Sequence, residues 1–314
     1  MALLQIEGVS KHFGQLTVLD RLSFEVEEGS VFGFIGTNGS GKTTTMKIVV
    51  GLLKANEGAV YVGGRKVEFG QTPTNRIIGY LPDVPEFYGF MNALEYLRFC
   101  GKVCGMNATD IQRKSTELIA LVGLEQSAKR RIKGYSRGMK QRLGIAQALI
   151  HDPALLICDE PTSALDPQGR SEILAILSRV RERTTVLFST HILNDVERVC
   201  DTIGILHHGN IALGGNLEQL KSTHRRNSIY LRFAPAGSEQ GTLEAKLCSL
   251  PFVTSVLPEQ LEPAATSLGF MVEVGSAQTD GPKLLSEILA SGFTLLGYQI
   301  AEPSLESLYL EVIA

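Results

Sequence analysis

The chain has no excess of positive charge. Thirty Lys and Arg face 33 Asp and Glu, a formal net charge of −3 over 314 residues. That excludes a general nucleic-acid binder, which needs a basic stripe to meet phosphates. Cysteine is scarce too: five residues, at 100, 104, 158, 200 and 248. They are odd in number and scattered, which excludes a disulfide framework and suits thiols in a reducing compartment. Cys100 and Cys104 lie four apart on one expected helix face. No second ligand pair accompanies them, so buried small side chains are expected rather than a metal site. No apolar stretch approaches the roughly 18 residues a membrane helix needs; 47–53 and 154–158 are among the longest. The opening residues MALLQIEGVSKHF lack the basic-then-apolar layout of a secretory leader. The expectation is a soluble chain that reaches a membrane only through a partner. Repeats and low-complexity segments are absent as well. What remains is ordinary globular composition, 44% hydrophobic and 20% charged. The length suits one large domain or two ordinary ones. Glycine is plentiful, 32 residues, which asks for tight turns or a backbone that a ligand approaches.

Up to about residue 220, short apolar runs alternate with helical patterns. LLQIEGV (3–9) and LSFEV (22–26) alternate apolar and polar residues, as antiparallel strands do. VFGFIG (31–36) is a continuous apolar run, the mark of a strand buried on both faces; ALLIC (154–158) reads as a second buried strand and TTVLFST (184–190) as a third strand. Helices are predicted at 42–53, from about 93 to 124, at 139–150 and at 168–181. Strands alternating with helices imply a mainly parallel sheet. The almost wholly helical segment 84–150 interrupts the alternation and reads as a helical insertion. From 227 to 314 the character changes to β-α-β-β-α-β, the ferredoxin-like order, with a last helix near Pro303. This predicts an α/β domain over 1–220 and a small accessory α+β domain over 227–314.

The chemistry is concentrated in two places. Gly36-Thr37-Asn38-Gly39-Ser40-Gly41-Lys42-Thr43, followed by Thr44, fits G-x-x-x-x-G-K-[ST] in full, between a buried strand and a helix. Phosphates are polyanions. A loop of inward amides feeding a helix N-terminus suits them, provided that small residues such as Gly36, Gly39 and Gly41 leave room. Lys42 reaches the β- and γ-phosphates, and the Thr43 hydroxyl is a hard oxygen ligand for Mg²⁺. The second place is Asp159-Glu160, at the end of a buried strand, where ligands of open α/β sheets bind. Asp159 suits holding Mg²⁺ through water, and Glu160 suits orienting or deprotonating an attacking water.

With these motifs in their order the chain resembles the ATP-binding subunits of ABC transporters, over residues 1 to about 220. The carriers are the Walker A loop 36–43, the Walker B strand 154–160 and the signature-like Tyr135-Ser136-Arg137-Gly138-Met139-Lys140-Gln141-Arg142. Ser163-Ala164-Leu165-Asp166 looks like the D-loop, and His191 stands where the family has its switch histidine. The tail Glu302-Pro303-Ser304-Leu305-Glu306 resembles endings in the ABC-2, drug-exporter branch. The resemblance implies a P-loop NTPase (RecA-like) core with an antiparallel β subdomain and a helical subdomain. It implies ATP and Mg²⁺ as ligands, ATP hydrolysis, a dimer of ATP-binding subunits, a separate transmembrane permease and no nucleic-acid partner. The location implied is the cytoplasmic face of the cell membrane. Ser136 and Gly138 then cap the γ-phosphate held by the opposite subunit, and His191 senses that phosphate. Phe13 either stacks on adenine or packs in the core. A non-transport ABC ATPase is the alternative; such proteins usually carry two cassettes or long coiled-coil insertions, and neither is present.

Two segments depart from the family pattern, at Asp83 and in the signature, where Arg137 replaces a glycine and Met139 stands for the usual glutamine. Asp83 stands where a glutamine is usual, bringing a negative charge close to the expected Mg²⁺; it can ligate the ion but cannot donate as an amide does. The usual double glycine of the signature is Arg137-Gly138. Arg137 either faces the phosphate of the opposite subunit or faces solvent. Phe87, Tyr88 and Phe90, beside the helical insertion, either receive a short helix of the membrane subunit or pack the insertion's own core.

Overall fold

The computed structural model describes residues 1–70, 73–223, 227–234, 240–259, 267–300 and 305–313. The chain divides into two compact units, Met1–Glu218 with Tyr309–Ala314, and Gln219–Leu308.

The first unit opens with two long strands, β1 (Ala2–Phe13) and β2 (Leu16–Glu27), paired antiparallel. Their alternating residues bury one face, as the sequence pattern predicts. Next come β3 (Val31–Ile35), α1 (Lys42–Val49), β4 (Glu57–Val62), the two-residue β5 (Arg65–Lys66) and β6 (Ile78–Leu81). A four-stranded antiparallel sheet forms in the order β2-β1-β4-β5. The helix predicted at 42–53 stops at Val49, four residues early, where Gly51 turns the chain with a positive φ of 73°. The predicted helical stretch 93–124 is two helices, α2 (Ala93–Val103) and α3 (Ala108–Leu121). Gly105, at φ 76°, ends the first, and the Asn107 side chain caps the second by accepting from the Asp110 amide. Then follow α4 (Arg137–Ala148), β7 (Leu155–Asp159), α5 (Pro167–Val180), β8 (Thr185–Thr190), α6 (Leu193–Val199), β9 (Thr202–His207), β10 (Asn210–Asn216) and α7 (Leu217–Thr223).

The six-stranded sheet runs β10-β9-β3-β8-β7-β6, parallel except for the edge strand β10. Every residue of β3, β7 and β8 is buried, as continuous apolar runs demand. The core lies between this sheet, α1 and the antiparallel sheet: Leu4, Leu22, Phe34, Met46, Val49, Val62 and Ile157 are almost fully covered. Phe24 of β2 stacks on Phe32 and Phe34 of β3 at 5.2 and 5.1 Å, fastening the two sheets together. Because β8 separates β3 from β7, the loop after β3 and the acids after β7 reach the same edge from two strands apart.

The second unit holds β11 (Ser228–Phe233), α8 (Gln240–Cys248), β12 (Val253–Glu259), β13 (Leu268–Val274), α9 (Ala277–Ala290) and β14 (Leu295–Ile300). The sheet order is β12-β13-β11-β14 with all neighbours antiparallel, the ferredoxin-like arrangement. Ile229, Leu231, Phe233, Phe270, Val272, Leu284 and Ile288 form its core. The chain closes with α10 (Leu305–Ile313). Residues 302–304 of the tail motif, with Pro303, lie outside the described residues. Among the described residues, no helix is long and apolar enough to cross a membrane.

The two cysteines of α2 are not the buried pair the sequence suggested. Cys104 is exposed and Cys100 only partly covered, because both fall at the C-terminal end of α2. Burial still raises both thiols, Cys100 to about 11, so neither is a reactive thiolate.

Candidate nucleotide site

The loop after β3 opens the helix α1, and its three glycines are needed for different reasons. A side chain at Gly36 would meet Ser40 Oγ at 2.5 Å and the Leu206 carbonyl oxygen at 2.9 Å. At Gly41 it would strike Leu19 Cδ2 at 2.7 Å, and φ is 112°. Only Gly39, at φ 83°, faces open space. Two of the three are therefore dictated by the protein's own packing, and Gly39 by its left-handed backbone. Thr37 and Asn38 are exposed, Ser40 and Thr44 half-buried, and the Thr43 side chain is open to solvent at the first turn of α1. The amides at this helix start and the Thr43 hydroxyl form a place for an anion and its counter-ion.

Lys42 is 5% exposed. Its Nζ donates to the carbonyls of Gly36 at 2.7 Å and Thr37 at 3.1 Å, and lies 3.2 Å from Glu160 Oε1. Glu160 in turn places Oε2 at 2.9 Å from His191 Nδ1. The three residues named from separate segments thus form one chain, Lys42–Glu160–His191, with Glu160 9% exposed and the His191 side chain open. Asp159, 1% exposed, ends β7 beside them. Glu160 has φ 48°, a left-handed conformation that a β-strand cannot continue, and this turn aims its carboxylate back over the loop.

Ser189 holds that turn. Fully buried on β8, its hydroxyl donates to Asp159 Oδ1 at 2.8 Å and accepts from the Glu160 amide at 3.0 Å. The Glu160 amide also reaches the Ser189 carbonyl at 3.2 Å. Sequence reasoning passed over this residue. Its only signal was a small polar side chain two positions before His191, on the strand that leads to it.

Asp83 follows β6, the strand next to β7. Burial raises its carboxyl above the ordinary value. Arg137 and His191 oppose the rise, and Asp159 and Glu160 add to it. Asp83, Asp159 and Glu160 therefore share one electrostatic neighbourhood. The nearby Tyr80 hydroxyl is pushed well up, first by burial, then by Asp159 and Asp83. Asp83 Oδ1 and Glu160 Oε1 are both buried atoms that make no hydrogen bond. Among the described residues no three His, Cys, Asp or Glu close around a metal. The Thr43 hydroxyl and the carboxylates of Asp159 and Asp83 nevertheless fit a hard divalent cation that takes its other oxygens from phosphate and water.

Arg137 is open to solvent and at the same time leans on a neighbour in its own chain. Its Nη2 lies 3.7 Å from Asp83 Oδ1 in the same chain. Ser136 is the N-cap of α4, its hydroxyl accepting from the Met139 amide at 3.2 Å. Both Ser136 and Arg137 are exposed. A side chain at Gly138 would meet only Leu165 Cδ2, at 3.9 Å, so one side of this helix start is open. No hydrogen bond or ion pair among the described residues joins Ser136 or Gly138 to Lys42, Glu160 or His191. They form a second surface, separate from the loop.

Phe13 is 49% exposed, at the end of β1, with Lys11 Nζ 5.0 Å from its ring centre. It is no core residue. Of the three aromatics after Asp83, Phe87 packs edge-on against Tyr96 of α2 at 5.1 Å, inside the insertion. Tyr88 and Phe90 are 51% and 67% exposed, and Val84 nearby is also exposed. A cavity of about 420 Å³ lies beside them, bordered by Pro85, Phe87, Ile132 and Lys133 among others.

Comparison with known proteins adds an independent observation. The family model described as "ABC transporter" matches residues 19–163. An ABC transporter ATP-binding protein of Bacillus subtilis (strain 168), YxlF, is 38% identical over 312 residues, 99% of each chain. The linearmycin resistance ATP-binding protein LnrL of the same organism is 33% identical, covering 99% of this chain and 98% of its own. A dimeric structure of the ATP-binding cassette MJ0796, in a post-hydrolysis state bound to ADP and Pi, overlays with a TM-score of 0.62. It is 25% identical and covers 68% of this chain and 98% of that one.

Proposed function

This chain belongs to the ATP-binding subunits of ABC transporters, and from that premise we propose that it drives export of a small toxic compound through a separate permease. As a member of that family it binds and hydrolyses ATP, works as a dimer of cassettes and serves a membrane partner. Export, the residue roles and the location at the cytoplasmic face of the membrane are the proposal. Likeness to LnrL along nearly the whole chain supports a resistance-type cargo.

The observation that carries the mechanism is the Lys42–Glu160–His191 chain. The amides of 36–44 and the Lys42 ammonium bind the β- and γ-phosphates. As Lys42 turns to phosphate, Glu160 Oε1 loses its cationic neighbour and is left to accept a hydrogen bond from water. Glu160 then orients that water and takes its proton, while His191, held through Nδ1, keeps the carboxylate aimed. Thr43, Asp159 and Asp83 would hold a divalent cation, which when bound would neutralise charge on the phosphates. Phe13, open to solvent, offers its ring to adenine.

Ser136 and Gly138 form the open second surface, which suits the γ-phosphate bound by a partner cassette. Two chains then share two nucleotides, and loss of γ-phosphate separates them. The exposed Tyr88, Phe90 and Val84 offer an apolar anchor for a short helix of the permease. The 1–220 and 227–314 division assigns the hydrolysis to the first part and an accessory role to the second. Glu160→Gln tests the assignment: ATP binding persists, a closed dimer accumulates on size exclusion, and turnover falls by about 10² or more. Turnover within threefold of wild type removes Glu160 from the role.

A further inference from the structure

Two of the positions that depart from the family pattern, Asp83 and Arg137, meet each other. They are 54 residues apart in sequence (137 − 83), on different elements, and their charges lie 3.7 Å apart. Their backbones are locked together. α4 rests on β6 through two glycines: a side chain at Gly144 would strike Leu81 Cδ1 at 2.5 Å, and one at Gly79 would strike the Ala148 carbonyl at 2.2 Å. Gln141, 1% exposed on α4, donates from Nε2 to the Asp83 carbonyl at 2.8 Å. The segment bearing Asp83 and the first turn of α4 are therefore one block, and only the two side chains have freedom.

An acid at 83 is an electrostatic liability. It stands in the field of Asp159 and Glu160, at the place where a polyphosphate must arrive. We propose that Arg137 is a positioning residue for Asp83: its guanidinium holds and neutralises the carboxylate, so that an acid can stand at the cation-binding edge of this chain's own nucleotide site. The departure in the signature segment then compensates the departure after β6. The inference rests on the functional reading above, and the assay separates the two.

Arg137→Ala leaves Asp83 uncompensated beside the other acids. Asp83→Asn removes the charge that needs compensating. Both side chains are about half exposed, so neither change empties a core. A fluorescent trinitrophenyl derivative of ATP, titrated into monomeric protein in EDTA, reads affinity without cation and without turnover. Arg137→Ala is expected to weaken binding about threefold or more. In the Asp83→Asn background the same change is expected to move affinity by less than about 1.5-fold. Repeating the titration with Mg²⁺ is expected to shrink the Arg137→Ala effect, because the cation takes over the neutralising. Equal losses in both backgrounds overturn the proposal and assign Arg137 a direct pull on phosphate. No loss in either also overturns it. Failure of the wild-type chain to bind the probe at all overturns the functional reading, and the proposal with it.

Discussion

Ser189→Ala gives the sharpest test of how the acids are held. The change removes one hydroxyl from a fully buried position on β8 and leaves the backbone ladder with β7 intact. Two contacts disappear: the 2.8 Å donation to Asp159 Oδ1 and the 3.0 Å bond from the Glu160 amide. The amide keeps the Ser189 carbonyl at 3.2 Å, so it is not orphaned and its loss is small. The carboxylate is different, because Asp159 is 1% exposed and loses a donor where solvent does not reach. A hydrogen bond to a charged group contributes about 1.5–3 kcal/mol. A cost of about 2 kcal/mol lowers Tm by about 4–8 °C for a unit of some 200 residues. Function suffers separately, because the strained turn at Glu160, φ 48°, loses one of its two restraints. The kcat is expected to drop at least tenfold while affinity for ATP without cation changes less than twofold. Differential scanning fluorimetry and a coupled phosphate-release assay read the two effects. An unchanged Tm together with kcat within twofold of wild type refutes the idea that Ser189 sets the acids.

Two further outcomes are expected. Replacing both Tyr88 and Phe90 by Ser should abolish co-sedimentation with membranes that carry the permease while leaving ATPase of the free chain within about twofold; recruitment at the wild-type level rejects the aromatic anchor. His151, whose Nε2 donates to the Ile78 carbonyl at 3.1 Å, has its pKa pushed below the ordinary histidine value, chiefly by burial. The neutral form is favoured by folding, so this stabilisation is present above about pH 6.5 and is lost as pH falls below it. Tm should therefore decline from about pH 6.5 towards 5, and His151→Gln should flatten that decline; identical slopes exclude His151 as its source.

Much of the fold was legible because its signals are local. β3 and β7 are apolar runs with no polar interruption until the functional end, β8 is apolar at Val186, Leu187 and Phe188, and each is buried throughout. The β-α-β-β-α-β order after 227 was read from alternation alone, and the strands pair in that arrangement. Helix ends were less legible. Gly105 and Asn107 split one periodic stretch into two helices, because positive φ and capping outweigh an apolar pattern that continues across them. β9 and β10 went unread, since β10 is an edge strand with exposed residues and glycines that give no periodic signal. In the site, Lys42, Glu160 and His191 were each identified from their own motif. Their mutual contacts were not, because they depend on β8 lying between β3 and β7. Ser189 and the Asp83–Arg137 pair escaped for the same reason: each acts through a neighbour distant in sequence.

The internal salt link of Lys42 bears on the life of the motor between strokes. Its ammonium is already satisfied by two carbonyls and a carboxylate. A cell drained of fuel therefore leaves no bare cation inside the protein to loosen it. An arriving triphosphate trades one set of bonds for another and gains only the difference.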